Sequence, residues 1–263
     1  MTSNNNFESG YSDVNGIKMY YEIHGDGQPL VLIHGGGSTI TTSFGRILPM
    51  LVKDCKVIAI ELQGHGHTSD RNSPESFGQD ADDVATLLKN LHIEKASFFG
   101  FSNGGNTAMQ IASRHPEIVQ KLILASTFYK REGLPPGFFD GMQHATIDVM
   151  PRALKDAYLK INPDTAGLLT MFNKDRERML HFTDWKHEML SSIKAPTLII
   201  SGDQDVILSA HTVAMSTLIK GSRLMILPAT HGSYIGVAES QDNDIEIISM
   251  AIHVIKKFLS EKL

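Results

Sequence analysis

The chain of 263 residues has one cysteine, one tryptophan and no long apolar run. A lone cysteine, Cys55, excludes an internal disulfide and fits a reducing compartment; at the mouth of an apolar strand it reads as a small buried hydrophobe. No stretch approaches the ~20 apolar residues a membrane-spanning helix needs. The opening MTSNNNFESG has neither a basic nor an apolar segment. No signal peptide is therefore expected, the first few polar residues are expected to be disordered, and the expected location is cytoplasmic. The formal net charge is -5 with no stripe of Lys or Arg, which argues against a nucleic-acid surface. The glycine run His34-Gly35-Gly36-Gly37 matches neither G-x-G-x-x-G nor G-x-x-x-x-G-K-[ST], so a nicotinamide or phosphate-gripping loop is not expected there. His65 and His67 stand two residues apart with no cysteine nearby and no carboxylate placed to complete a site. No metal and no cofactor are expected.

What is present suits one large core, or a core with a small appendage: 41% of the residues are hydrophobic. The most informative stretch is Lys95 to Arg114, KASFFGFSNGGNTAMQIASR. A short apolar run, Ala96 to Phe99, meets G-F-S-N-G, and helical periodicity follows. Gly100 and Gly104 flank Ser102 two positions away on each side. Without side chains there, strand and helix backbones can close into a turn that pushes the serine out of the sheet's end. Such a serine stands exposed at a helix N-terminus, beside a free backbone N–H. The same residues also suit a plain helix-capping turn, so the rest of the chain decides.

That remainder has an α/β rhythm. Residues 7–14 and 17–23 flank Asn15-Gly16, a two-residue hairpin signal. Apolar runs at 30–33, 56–60, 96–99, 121–125, 197–200 and 224–227 read as strands. Helices are expected over 43–51, 76–90, from the serine turn to just before Pro116, 209–218 and 244–259. In the second of these, Phe77, Ala81, Val84, Leu87 and Leu88 share a face, leaving Asp80, Asp82, Asp83 and Lys89 toward water. From 128 to 193 the rhythm breaks. Pro135-Pro136-Gly137, Pro151 and Pro163 punctuate helical stretches at 138–149, 152–160, 164–172 and 175–190, and a structureless segment this long is uncommon in a compact domain. The expected fold is α/β: a mostly parallel twisted sheet flanked by helices, with an N-terminal antiparallel hairpin. Its core domain would span 1–127 and 194–263, and 128–193 would be an inserted helical subdomain.

Serine is a weak nucleophile at neutral pH and needs a base, normally a histidine oriented by a carboxylate. In an open α/β sheet such groups gather at the carboxyl ends of strands. Asp203 and Asp205 follow the 197–200 strand, His231 follows the last strand, and Ser102 follows a central one. The order Ser, Asp, His is the one that accompanies a nucleophile elbow. The three glycines after strand 30–33 fit a loop whose backbone N–H points into a site.

Together these features resemble the α/β-hydrolase fold superfamily over nearly the whole chain. The residues that carry the likeness are HGGG at 34–37, GHGHTSD at 64–70, GFSNGG at 100–105, GDQDVI at 202–207 and His231-Gly232. The resemblance implies the serine-nucleophile branch with a helical cap: Ser102 as nucleophile, His231 as general base and Asp205 as the acid, with Asp203 bracing the loop. It also implies an oxyanion hole from the backbone N–H groups of Gly36 and Asn103, with His34 ordering that loop. Haloalkane dehalogenases and epoxide hydrolases of this fold are set apart by their elbow aspartate. Two departures stand out: Glu61-Leu62-Gln63 replaces the frequent aspartate and arginine before G-H-G, and Thr230 replaces the frequent glycine before the last histidine. The inserted segment looks like the cap, rich in Phe, Met and Leu that mostly hold its helices to the core and partly line an apolar pocket. Its charged groups, Lys130-Arg131 and Lys174 to Arg178, read as solvated surface, with no basic cluster for a phosphate or CoA-type group.

The expected activity is hydrolysis of a small to medium, mostly apolar carboxylic ester through an acyl-enzyme. Lactone or C–C bond hydrolysis, cofactor-free perhydrolysis (haloperoxidase-like) and a non-catalytic receptor or interaction protein are the alternatives. The expected partner is a small-molecule substrate, and a homo-oligomer is left open.

Overall fold

Asn15 and Gly16 both take positive φ, 44° and 90°, as a two-residue hairpin turn requires. They join β1 (Phe7–Val14) to β2 (Ile17–His24), with Val14 opposite Ile17. A computed structural model describes residues 7–262, so the expectation of disorder over the first few residues lies outside the described residues. The sheet continues with β3 (Gln28–Ile33), β4 (Cys55–Ile60), β5 (Ala96–Phe101), β6 (Val119–Ala125), β7 (Thr197–Gln204) and β8 (Arg223–Thr230). Its eight strands lie in the order β1-β2-β4-β3-β5-β6-β7-β8. The first two pairings are antiparallel and the rest parallel.

The helices, in chain order, are α1 (Ile40–Phe44), α2 (Leu48–Leu51), α3 (Phe77–Asn90), α4 (Asn103–Arg114), α5 (Phe138–His144), α6 (Arg152–Ile161), α7 (Thr165–Leu180), α8 (His187–Ser191), α9 (Ser209–Leu218) and α10 (Ile245–Ser260). Strand alternation divides the core between two layers. Val31, Ile33 and Phe98 pack with apolar residues of α3 and α4. Leu30, Leu32 and Phe99 pack with α1 and with Ile248, Ile252 and Ile255 of α10. Each central strand is thus buried on both faces, which is why its sequence is apolar without alternation. Four helices, α5 to α8, are inserted between β6 and β7 as a cap. Met179 and Phe182 pack with Phe128 and with Phe77 of α3, which ties this cap to the core.

Three local expectations change. The helix expected over 43–51 is two short ones, α1 and α2, with Pro49 in the first turn of α2, where its missing N–H costs nothing. The helices expected over 164–172 and 175–190 are one helix, α7, because no Pro or Gly between Phe172 and Asp175 stops it; only a short α8 follows. Asp80 and Asp83, expected toward water, are buried, against Arg178 and Arg71 respectively. Among the described residues no helix is long and apolar enough to cross a membrane.

β3 is flanked by β4 on one side and β5 on the other, so the chain leaves it in one direction and returns in the opposite one. Such a switch point opens a crevice at the carboxyl ends of the two strands. Here those ends carry His34-Gly35-Gly36-Gly37 and Ser102.

Candidate active site

Ser102 sits between β5 and α4 at φ 53° and ψ -123°, a conformation that side chains with a Cβ rarely adopt. The flanking glycines permit it: a Cβ at Gly104 would run into the Ile33 carbonyl oxygen, and one at Gly100 into that of Gly104. The Ser102 N–H is taken by the Ala125 carbonyl at 2.9 Å. Its Oγ lies 3.1 Å from His231 Nε2, and His231 Nδ1 lies 2.6 Å from Asp205 Oδ1. The His231 side chain keeps 28% of its surface exposed while that of Asp205 has none, so an accessible imidazole backs onto a buried carboxylate. Burial pushes the Asp205 carboxyl up, but the hydrogen bond and charge of His231 outweigh it and hold the group below its ordinary range.

Asp205, not Asp203, meets the histidine. Asp203 Oδ1 accepts from the Ala229 N–H at 3.0 Å and braces the neighbouring strand end. Asp205 is anchored from several sides: Oδ1 also accepts from the Ile207 N–H at 2.9 Å, and Oδ2 accepts from the Ser201 hydroxyl at 3.1 Å and from the Ser126 hydroxyl. Ser126 in turn accepts from the fully buried Tyr234 hydroxyl, at 2.7 Å. Sequence reasoning missed Ser126 and Tyr234. Ser126 directly follows β6, at the same sheet edge as the other groups, and that position was the available signal.

The glycine loop lies against the residue after Ser102: a Cβ at Gly36 would lie 2.6 Å from the Asn103 side-chain amide. The Asn103 N–H opens α4 and has no acceptor within that helix. His34 spans the loop's base. Its Nδ1–H donates to the Gly35 carbonyl at 2.7 Å, and its Nε2 accepts from the Leu62 N–H at 3.0 Å. Burial lowers its pKa to about 3, so it stays a neutral, fixed tautomer. Glu61, where the sequence departs from the family, is buried and accepts from His67, from the backbone N–H at 2.7 Å and from Nδ1 at 2.9 Å.

The charged run Lys174 to Arg178, expected on the surface, is a correction. Asp175 and Arg178 are only 8% and 7% exposed, because they share the inward face of α7 with Leu168, Met171 and Met179. Asp175 Oδ2 accepts from the Gly37 N–H at 2.6 Å and from His65 Nε2–H at 3.0 Å, while Oδ1 accepts from Arg178. Arg178 also donates to Asp80 at 2.9 Å and stands 3.6 Å from Glu75. Burial opposes charge on His65, but the carboxylate of Asp175 prevails and raises its pKa to about 9. Burial is outweighed at Asp175 too, where Arg178 and His65 hold the carboxyl well below its ordinary value. Glu75 and Asp80 are pushed up by burial, to about 8 and about 6. A cavity of about 740 Å³ opens beside this cluster, lined by Phe77, Phe182, Trp185 and Arg178, but Ser102 does not line it. Among the described residues no three His, Cys, Asp or Glu side chains are grouped as metal ligands would be.

A family model of the alpha/beta hydrolase fold matches residues 28–156. The chain is 30% identical over 242 residues to a Synechocystis sp. protein named as a non-heme chloroperoxidase, covering 81% of this chain and 87% of that one. It is 29% identical over 227 residues to the human serine hydrolase BPHL, covering 82% and 77% of the two chains. The enol-lactonase from Burkholderia xenovorans LB400 has the same fold, with a TM-score of 0.75 at 24% identity over 96% of this chain and 100% of that one. The protein belongs to the α/β-hydrolase fold superfamily. Fold and relatives together point to a hydrolase rather than to one specific reaction.

Proposed function

We propose that the protein is a serine hydrolase that cleaves small to medium, largely uncharged carboxylic esters through an acyl-enzyme. The observation that carries this reading is the hydrogen-bonded chain from Ser102 Oγ through His231 to the buried Asp205. His231 Nε2 takes the Ser102 proton as Oγ attacks the ester carbonyl carbon. The resulting oxyanion is held by the backbone N–H groups of Gly36 and Asn103, each worth roughly 3 kcal/mol in the transition state. Imidazolium then protonates the departing alkoxide, leaving the acyl group on Ser102. Water, deprotonated by the same histidine, attacks the acyl carbon and releases the acid. Asp205 holds the tautomer with Nδ1–H and stabilises the imidazolium.

The Synechocystis relative's name supports a second reading, perhydrolysis, in which hydrogen peroxide instead of water takes the acyl group from Ser102. The test is turnover of a p-nitrophenyl ester series from acetate to decanoate by wild type and S102A, with and without peroxide, beside labelling by a fluorophosphonate. Wild type should hydrolyse short and medium esters and be labelled; S102A should lose roughly 10⁴-fold or more and not be labelled. A folded wild type that turns over no ester and resists the probe would sink the proposal and favour a receptor on the same scaffold.

A further inference from the structure

We propose that Asp175, carried by the cap, is a positioning residue that sets the oxyanion loop and so couples the seating of the cap to catalysis at Ser102; this rests on the serine-hydrolase reading. The loop's glycines have no side chains to restrain them, and each of its two critical peptides is free to rotate unless tied. The Gly35–Gly36 peptide is tied at its carbonyl, which accepts from His34 Nδ1–H at 2.7 Å and from the Ser38 N–H at 3.3 Å. Because the peptide is planar and trans, the Gly36 N–H points the opposite way. The Gly36–Gly37 peptide is tied at its other end, where the Gly37 N–H donates to Asp175 Oδ2 at 2.6 Å with Gly37 at φ 64°. Rotating that peptide would turn the Gly36 carbonyl oxygen toward a carboxylate, and like charges would repel.

The carboxylate is itself fixed. Arg178 donates to Oδ1 and His65 to Oδ2, and His65 Nδ1–H is bonded to the Gln63 carbonyl at 2.8 Å. The tether therefore runs from α7 to a core loop on one side and to the glycine loop on the other. Met150 and Leu154, also of the cap, lie against Gly37. A cap that shifts carries Asp175 with it and releases the Gly36–Gly37 peptide.

The test uses D175A and D175N in the full chain. Active serines are titrated with a fluorophosphonate, kcat and KM are taken on p-nitrophenyl butyrate, inhibition is measured with a trifluoromethyl ketone, and amide hydrogen exchange is followed at residues 34–39. D175A should lower kcat per titrated serine roughly 10- to 100-fold, with KM changed less than about threefold. It should weaken the ketone in proportion and speed exchange in the loop. D175N keeps an oxygen for Gly37 but not the charge facing Arg178 and His65, so its losses should be smaller in the same direction; it decides the matter if D175A does not fold. Wild-type kcat per titrated serine, a loss confined to the number of titratable serines, or unchanged exchange at 34–39 would each overturn the proposal. An unlabelled, inactive wild type would instead defeat the hydrolase reading, and the exchange data would still decide whether Asp175 holds the loop.

Discussion

Replacing Ser102 by glycine should yield a more stable protein than replacing it by alanine, although on the proposed mechanism both should lose hydrolysis. The two variants lose the same hydroxyl and the same contact with His231, so their difference isolates the backbone. At φ 53° and ψ -123°, a residue with a Cβ stores about 1–3 kcal/mol of local strain. Glycine relieves it and gives back about 0.5–1 kcal/mol through the added freedom of the unfolded chain. S102G should thus exceed S102A by about 1 kcal/mol, within bounds of about 0 to 2.5 kcal/mol. At roughly 2–4 °C per kcal/mol for a chain of this size, the central value is a Tm higher by about 2–4 °C. The assay is thermal unfolding of the two purified variants in one buffer, with urea midpoints as an independent check. A Tm for S102G at or below that of S102A refutes the idea that the turn holds its serine under strain.

Two further substitutions separate roles that lie close in sequence. D205N should lower kcat by roughly 10⁴-fold by presenting His231 in the wrong tautomer. D203A, which removes only the acceptor for the Ala229 N–H, should cost less than about tenfold; ester turnover of both variants measures this. Glu75 titrates near 8 instead of 4.5 because burial disfavours its charged form. Between these pH values the unfolded chain has lost the proton that the native protein still holds. Wild-type stability should therefore fall as pH rises through this window, whereas E75Q should lose the part due to Glu75 and keep only the fall due to His65 and Asp80, whose native pKa values are also raised. Urea unfolding from pH 5 to 9 should show the E75Q advantage growing to a few kcal/mol at most; a constant difference would mean that native Glu75 is already ionised.

The parts of the site written in short stretches of sequence were legible because their physics is local. Asn15-Gly16 specifies a turn with two positive φ values, and Gly100 with Gly104 specifies a close approach of strand and helix around Ser102. The assignment between Asp203 and Asp205 is of another kind. Both follow the apolar part of β7 at positions of equal parity, so simple alternation would aim them the same way. An irregularity in the pairing between Gly202 and Gln204 separates them, sending Asp203 to the β8 backbone and Asp205 to His231.

The buried charges on α7 do have a signal in the sequence. Leu168, Met171 and Met179 recur at helical spacing, and on the register of one continuous helix Asp175 and Arg178 fall within the apolar stripe; two helices divided after residue 172 have no such common face. The identity of the partners could not be found locally, since Asp80 lies 98 residues from Arg178 and Gly37 lies 138 from Asp175. Such a cluster adds little net stability, because desolvation offsets most of the attraction. Its effect is on alternatives. A cap seated one helical turn away would part Arg178 from Asp80, and Asp175 from Gly37 and His65, leaving the two only each other, at a cost of several kcal/mol, whereas displaced Leu, Met and Phe side chains could repack at much lower cost. The apolar contacts hold the cap down, and the charges decide where it sits.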